Sequence, residues 1–211
     1  MSQPCAEKPW RIALFDPDVV DVLARGTGLS QTASRILASR GLRTVEEALR
    51  FLSPSLDRDW LEPDMIPGMG AVADRVAAAV RAGDRIVVFG DFDLDGISAA
   101  AVATRGLRSM GADVAAVVPH RFREGYGLSA AAIERVMTLR PSLVVTVDCG
   151  ISGRDEVDLL LGHGVDVAVT DHHEPGGSVP KDVPVADPKL TDDCPSRDLA
   201  RSEEHTSELQ S

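Results

Sequence analysis

Three times in this chain a short apolar run ends in acidic residues. Ile86-Val87-Val88-Phe89 leads into Gly90-Asp91-Phe92-Asp93-Leu94-Asp95-Gly96, and Leu143-Val144-Val145-Thr146-Val147 leads into Asp148. Val165-Asp166-Val167-Ala168-Val169-Thr170 leads into Asp171-His172-His173. Such β-branched runs, separated by helical stretches, predict buried parallel strands. Open parallel sheets bind ligands outside the carboxyl ends of their strands. The pattern therefore predicts several carboxylates and two imidazoles on one sheet edge, a set of ligands for hard metal ions and phosphoryl chemistry.

The rest of the chain supports an α/β reading. Strands are expected at 86–90, 114–118, 143–147, 165–170 and 183–186, with helices near 98–110, 130–139 and 154–162. This alternation predicts a parallel five-stranded sheet with flanking helices and right-handed crossovers. A small helical region precedes it. Ser34 to Arg40 ends at Gly41, a natural residue after a helix C-terminus. Thr44-Val45-Glu46-Glu47 has the form of a capping box, and the helix it opens should run through Phe51 and stop before Pro54. Pro63, Pro67, Gly68 and Gly70 mark a connector, and a third helix is expected from Ala71 to Ala82. The expected organisation is a helical region over 1–70, an α/β domain over 71–200, and a tail over 201–211. Met1 to Trp10, with Pro4 and Pro9, reads as a loose segment. Arg201 to Ser211 has one large apolar residue and matches the translation of a common sequencing-library adapter, so it is expected to be non-native.

Composition excludes little beyond this. No apolar run approaches the length of a membrane span and no secretory leader is visible, so the cytoplasm is the expected location, with no membrane partner. Cys5, Cys149 and Cys194 form no CxxC pair, which argues against a zinc ribbon or a disulfide framework. The net charge of −11 argues against a generic nucleic-acid coat. It does not exclude a nuclease, because bound divalent ions reverse the sign of an acidic site.

Asp91, Asp93 and Asp95 alternate, so on an extended backbone they would point to one side, with Gly96 turning the chain into a helix near Ser98. A calcium loop also opens with D-x-D-x-D-G, but it needs a Glu at its twelfth position, and counting from Asp91 the twelfth residue is Val102. The preceding segment is also a strand where that loop requires a helix. His172 and His173 favour manganese, zinc or iron over magnesium. Two such ions sharing a carboxylate would activate a water and clamp a phosphodiester. The loop from Pro119 through Gly127, with Arg121 and Arg123, offers phosphate contacts or, equally, a basic turn around a packed aromatic. Cys149 has no paired base nearby and reads as a packing residue.

At these residues the chain resembles the DHH phosphoesterase superfamily, and within it the RecJ family of single-stranded-DNA-specific 5′→3′ exonucleases. The resemblance rests on Gly90 to Gly96, Val147 to Ile151 and Thr170 to Glu174. Arg40 to Leu52 with Pro54, Glu124 to Leu128 and Ala186-Asp187-Pro188-Lys189 support it. It implies two Mn2+ or Mg2+ ions, with Asp93 and Asp95 each holding one, Asp148 bridging both and His172 a further ligand. His173 would lie near the scissile phosphate, with Arg121 on a substrate phosphate. Asp91 belongs to the implied catalytic set, although the resemblance places it, like Asp171, behind the ligands. Asp187 departs from the Asn usual in that family. The implied substrate is single-stranded DNA in repair or recombination, with a single-strand-binding protein or helicase as possible partner. The family's fourth acidic motif and its later domains lie beyond Ala200, so the chain alone is expected to be inactive. Two other readings stay open. One is a DHH phosphoesterase for short oligonucleotides, cyclic dinucleotides or polyphosphate, and the other is a metal-free binding module.

Overall fold

The computed structural model describes residues 13–59, 61–125 and 127–197. The segments read as loose or non-native, Met1 to Trp10 and Arg201 to Ser211, lie outside them. The chain divides into two compact units, Met1–Trp60 and Leu61–Ser211.

Among the described residues the first unit holds four helices: α1 (Pro17–Thr27), α2 (Gln31–Ser39), α3 (Val45–Leu52) and the short α4 (Leu56–Asp59). Each of the first three starts at a side-chain cap, from Asp16, Ser30 and Thr44 respectively. The Thr44 box forms as expected, with Glu47 Oε2 accepting the Thr44 amide at 3.0 Å and Thr44 Oγ1 accepting the Glu47 amide at 3.2 Å. Leu23, Leu37 and Ala48 form a small core, one residue from each long helix. Helix α1 went unread in the sequence, although Asp16-Pro17 is a cap followed by a first-turn proline.

In the second unit, α5 (Met69–Ala82) precedes an alternation of β1 (Arg85–Gly90), α6 (Leu94–Ser109), β2 (Asp113–Val117), α7 (Ala130–Thr138), β3 (Leu143–Val147), α8 (Arg154–Gly162), β4 (Asp166–Thr170) and β5 (Val185–Ala186). All five strands pair in parallel in the order β2-β1-β3-β4-β5. Successive strand residues face opposite layers. Val87, Phe89, Val144, Val167 and Val169 pack with α7 and α8, through Ile133, Val136, Val157 and Leu160. Ile86, Val88, Leu143, Val145 and Ala168 pack with α5 and α6, through Val72, Ala79, Ala100 and Leu107. Both faces of the sheet are covered, which is why its strands read as continuous apolar runs.

This order places a topological switch between β1 and β3. The connections from β1 run outward to β2, and those from β3 run the other way to β4 and β5. The crevice that such a reversal opens at the strand ends is where doubly wound sheets take their ligands.

Candidate metal centre

Register builds the site. Gly90 pairs with Val147, Val147 with Thr170, and Thr170 with Ala186. The next residue on each of these four strands is an aspartate: Asp91, Asp148, Asp171 and Asp187. The Asp148 amide donates to Thr170 O and the Asp171 amide to Ala186 O, both at 3.0 Å, so the row extends the ladder by one rung. All four are buried, at 2%, 7%, 8% and 0% exposure. Ionised carboxylates crowded in this way repel one another and lose their water.

Asp148 sits at φ 60°, in the left-handed region, where Asp is among the few residues that tolerate the geometry. His172 Nε2 lies 2.6 Å from its Oδ1, while its Oδ2 is buried with no hydrogen-bond partner. Asp171 works differently. Its Oδ2 accepts the Ile151 amide at 2.9 Å, and its Oδ1 accepts the His172 amide at 2.8 Å and lies 2.7 Å from His173 Nδ1. Asp148, Asp171, His172 and His173 each offer a ligand atom within 4.8 Å of the others. An open cavity of about 470 Å³ is lined by Asp95, Ser98, Ala99, Val147, Asp148, Thr170, Asp171 and His172.

The acidic turn after β1 differs from expectation. Asp91, Asp93 and Asp95 do not alternate on an extended strand, because β1 ends at Gly90 and α6 begins at Leu94, four residues before the expected start. Asp93 is the helix cap, its Oδ1 accepting the Gly96 amide at 2.9 Å, and Asp95 lies in the first turn, where the helix dipole favours a negative charge. Gly96 is therefore not a turn residue. A Cβ there would meet the Asp91 backbone N and O at 2.4 Å, so its absence lets the helix start press against β1's exit. The Oδ2 of Asp95 is buried with no hydrogen-bond partner.

Burial raises the Asp91 carboxyl above its ordinary range, and Asp93 and Asp148 add to the rise. Burial also raises Asp148, against the opposing bond from His172. The bond to Asp148 raises the His172 imidazole against burial. At Asp171 burial pushes upward, but the bonds from His173 and two backbone amides outweigh it and the carboxyl falls. Asp187 is pushed up to about 6, chiefly by burial.

The fit to divalent cations rests on these donors. Carboxylates and imidazoles converge at ligand spacing, the Asp95 and Asp148 oxygens are buried without partners, and a cation would relieve their mutual repulsion. Of the residues singled out in the sequence, Asp148, His172 and His173 come together, and Asp95 joins Asp148 and His172 in the cavity wall. Asp91 and Asp93 stand at the β1 exit, close enough to shift Asp148 or be shifted by it. Arg121 is not in the cavity wall; its guanidinium lies over the Phe92 ring, 5.0 Å from the centroid. Asp171 has an oxygen within the same 4.8 Å group, while its hydrogen bonds go to His173 and to the Ile151 and His172 amides. Asp187 was not singled out, although it follows the fifth apolar run as the other acids follow theirs. Cys149 is buried at the end of β3 with its thiol pushed well up by desolvation, so it is a packing residue.

The doubly wound sheet and its row of carboxylates are those of a DHH domain. The chain belongs to the DHH family, whose N-terminal domain matches residues 85–206. It is 34% identical over 180 residues to the single-stranded-DNA-specific exonuclease RecJ of Bacillus subtilis, covering 85% of this chain and 23% of that protein. A solved RecJ from Thermus thermophilus in complex with Mn2+ aligns with a TM-score of 0.63 at 31% identity, covering 88% of this chain and 26% of that one. Another solved exonuclease RecJ, bound to manganese, aligns with a TM-score of 0.58 at 41% identity, over 63% of this chain and 34% of that one. The chain spans about a quarter of the length of the curated relatives it matches. No helix among the described residues is long and apolar enough to cross a membrane.

Proposed function

We propose that this chain is the metal-holding part of an exonuclease that hydrolyses phosphodiester bonds of single-stranded DNA from the 5′ end. The observation that carries the reading is the row of buried aspartates facing two imidazoles at the switch between β1 and β3. Likeness to single-stranded-DNA-specific exonucleases supports the choice of substrate. In this reading Asp93, Asp95, Asp148 and His172 would hold two Mn2+ or Mg2+ ions. Ions bound there would supply a hydroxide at neutral pH and charge to offset the phosphorane-like transition state.

The chain's own groups do the rest. Asp171 holds His173 by its Nδ1 and so fixes the orientation of the imidazole, which in this reading lies near the scissile phosphate. Asp91 turns its Oδ1 to the Phe92 amide at 2.7 Å and fixes the path of the acidic turn. Arg121 supplies a cation near that turn for a substrate phosphate. A single-strand-binding protein or a helicase is the protein partner that this substrate implies, and the domain organisation proposed is a helical unit followed by the DHH domain.

The test is hydrolysis by the full-length product of the gene that carries this sequence. With manganese, 5′- and 3′-labelled single strands and a blunt duplex should show release from the 5′ end of single strands alone. Comparable rates on duplex, or equal rates in excess chelator, would defeat the proposal.

A further inference from the structure

We infer that Phe122 is a stacking surface for an unpaired nucleobase of the strand, an inference that rests on the single-strand reading above. The sequence left open a packed aromatic in the loop from Pro119 through Gly127, and Phe122 is not packed. Phe122 is 90% exposed.

Its exposure is built in. The turn is closed by the Arg123 and Glu124 amides, which both donate to His120 O at 2.9 Å. Glu124 Oε2 accepts the His120 amide at 2.6 Å and Arg135 Nη2 at 2.9 Å, and the same Arg135 nitrogen donates to Val118 O at 2.7 Å. Phe122 stands at the apex of this tied turn, with the His120 ring beside it at 6.3 Å and tilted by 60°. The preceding residue, Arg121, lies back over Phe92, between Asp91 and Asp93. One residue thus reaches toward the acidic turn with a cation while its neighbour holds an aromatic face in water.

A nucleotide has the matching pair of features, a phosphate for the cation and a flat π-face for the ring. Stacking of this kind tolerates any base and depends on the base being unpaired, because a duplex already occupies both faces of each base. The loop would then favour single strands by a contact separate from the width of the metal cleft.

The experiment uses the full-length product of the gene that carries this sequence, with calcium in place of manganese or magnesium, and single-stranded DNA carrying 2-aminopurine at successive positions near the 5′ end. Fluorescence should be quenched at one position by the unaltered protein and by Phe122→Trp, but not by Phe122→Ala or Phe122→Leu. Affinity should fall about tenfold in Phe122→Ala, in line with base–aromatic stacking elsewhere. A strand with an abasic site at that position should bind the unaltered protein about tenfold more weakly and be indifferent to Phe122→Ala. Unchanged affinity and quenching in Phe122→Ala, or the same loss on the abasic strand, would overturn the stacking role while leaving single-strand binding intact. Failure of the unaltered protein to bind either strand would overturn the single-strand reading itself, and the stacking role with it. Phe122 is too exposed for its replacement to unfold the chain, and an unchanged melting temperature checks this.

Discussion

His172 Nε2 lies 2.6 Å from Asp148 Oδ1, across two strands that end side by side. The contact raises the imidazole's affinity for a proton, while the second Asp148 oxygen stays buried and unpartnered. A pair arranged like this holds a proton where a cation would otherwise sit. Proton and metal therefore compete for the same two side chains.

Asp148→Asn tests that competition without disturbing the backbone. Asn tolerates the left-handed φ of 60° as well as Asp does, whereas Ala does not. Asp148→Asn should keep the apo fold and weaken manganese binding at least tenfold, as followed by titration calorimetry or electron paramagnetic resonance. Asp148→Ala should lose the metal equally and also cost about 1 kcal/mol in stability. Undiminished manganese affinity in both variants would remove Asp148 from the ligand set.

Asp187 should make stability depend on pH. Its folded pKa of about 6 stands above the ordinary 3.8. The folded state therefore favours the protonated carboxyl, and this contribution is fully present below about pH 4 and lost as pH rises through 6. Two units correspond to about 3 kcal/mol at most. Asp187→Asn keeps an acceptor for the Lys189 amide, now held at 2.7 Å, and carries no charge. Urea unfolding without metal should find the variant about 2 kcal/mol more stable at pH 8 and little changed at pH 4. A variant no more stable at pH 8 would show that this carboxylate is solvated or paired in solution. The Asn expected here from the sequence resemblance is, on this argument, the less costly residue in the absence of metal.

Gly96→Ala should damage the site from behind. The added methyl would meet backbone atoms of Asp91, which cannot rotate aside. Overpacking of this kind costs about 1–3 kcal/mol, and a backbone wall points to the upper end. Denaturant unfolding should show the loss, and manganese affinity should fall with it, because Asp93 and Asp95 ride on the same helix start. Neutral behaviour in both measurements would mean that α6 can shift outward freely.

Thr44→Ala should act on the helical unit alone. Loss of the cap costs about 1 kcal/mol, which lowers hydrogen-exchange protection of the first α3 amides about fivefold. Amides of β1, β3 and β4 should be unaffected. Equal loss of protection in the sheet would show that the two units unfold as one.

Local periodicity decided much of this protein. The five strands and the later helices lie within a few residues of where apolar patterning places them, because both faces of the sheet are covered and each strand must be apolar throughout. The capping box at Thr44 was legible for the same reason, since it depends only on residues three apart. The start of α6 was misread because Asp93 offered two local roles, as a strand-end ligand and as a helix cap. The close fit of Gly96 against Asp91 accompanies the second, and that contact is made only in the folded chain.

What the tertiary structure alone decided is neighbourhood. The order β2-β1-β3-β4-β5 follows from where each crossover lands, and no residue pattern within a strand encodes it. That order sets Asp91, Asp148, Asp171 and Asp187 in one row, draws Asp171 into the ligand-spaced group and brings the unsingled Asp187 beside it. It also leaves Phe122 in water, because the bonds that tie its turn come from Glu124 and from Arg135 on the following helix. The sequence by itself determined which chemical groups each strand would deliver. Only through-space packing, with its desolvation and its register, determined which of them would meet.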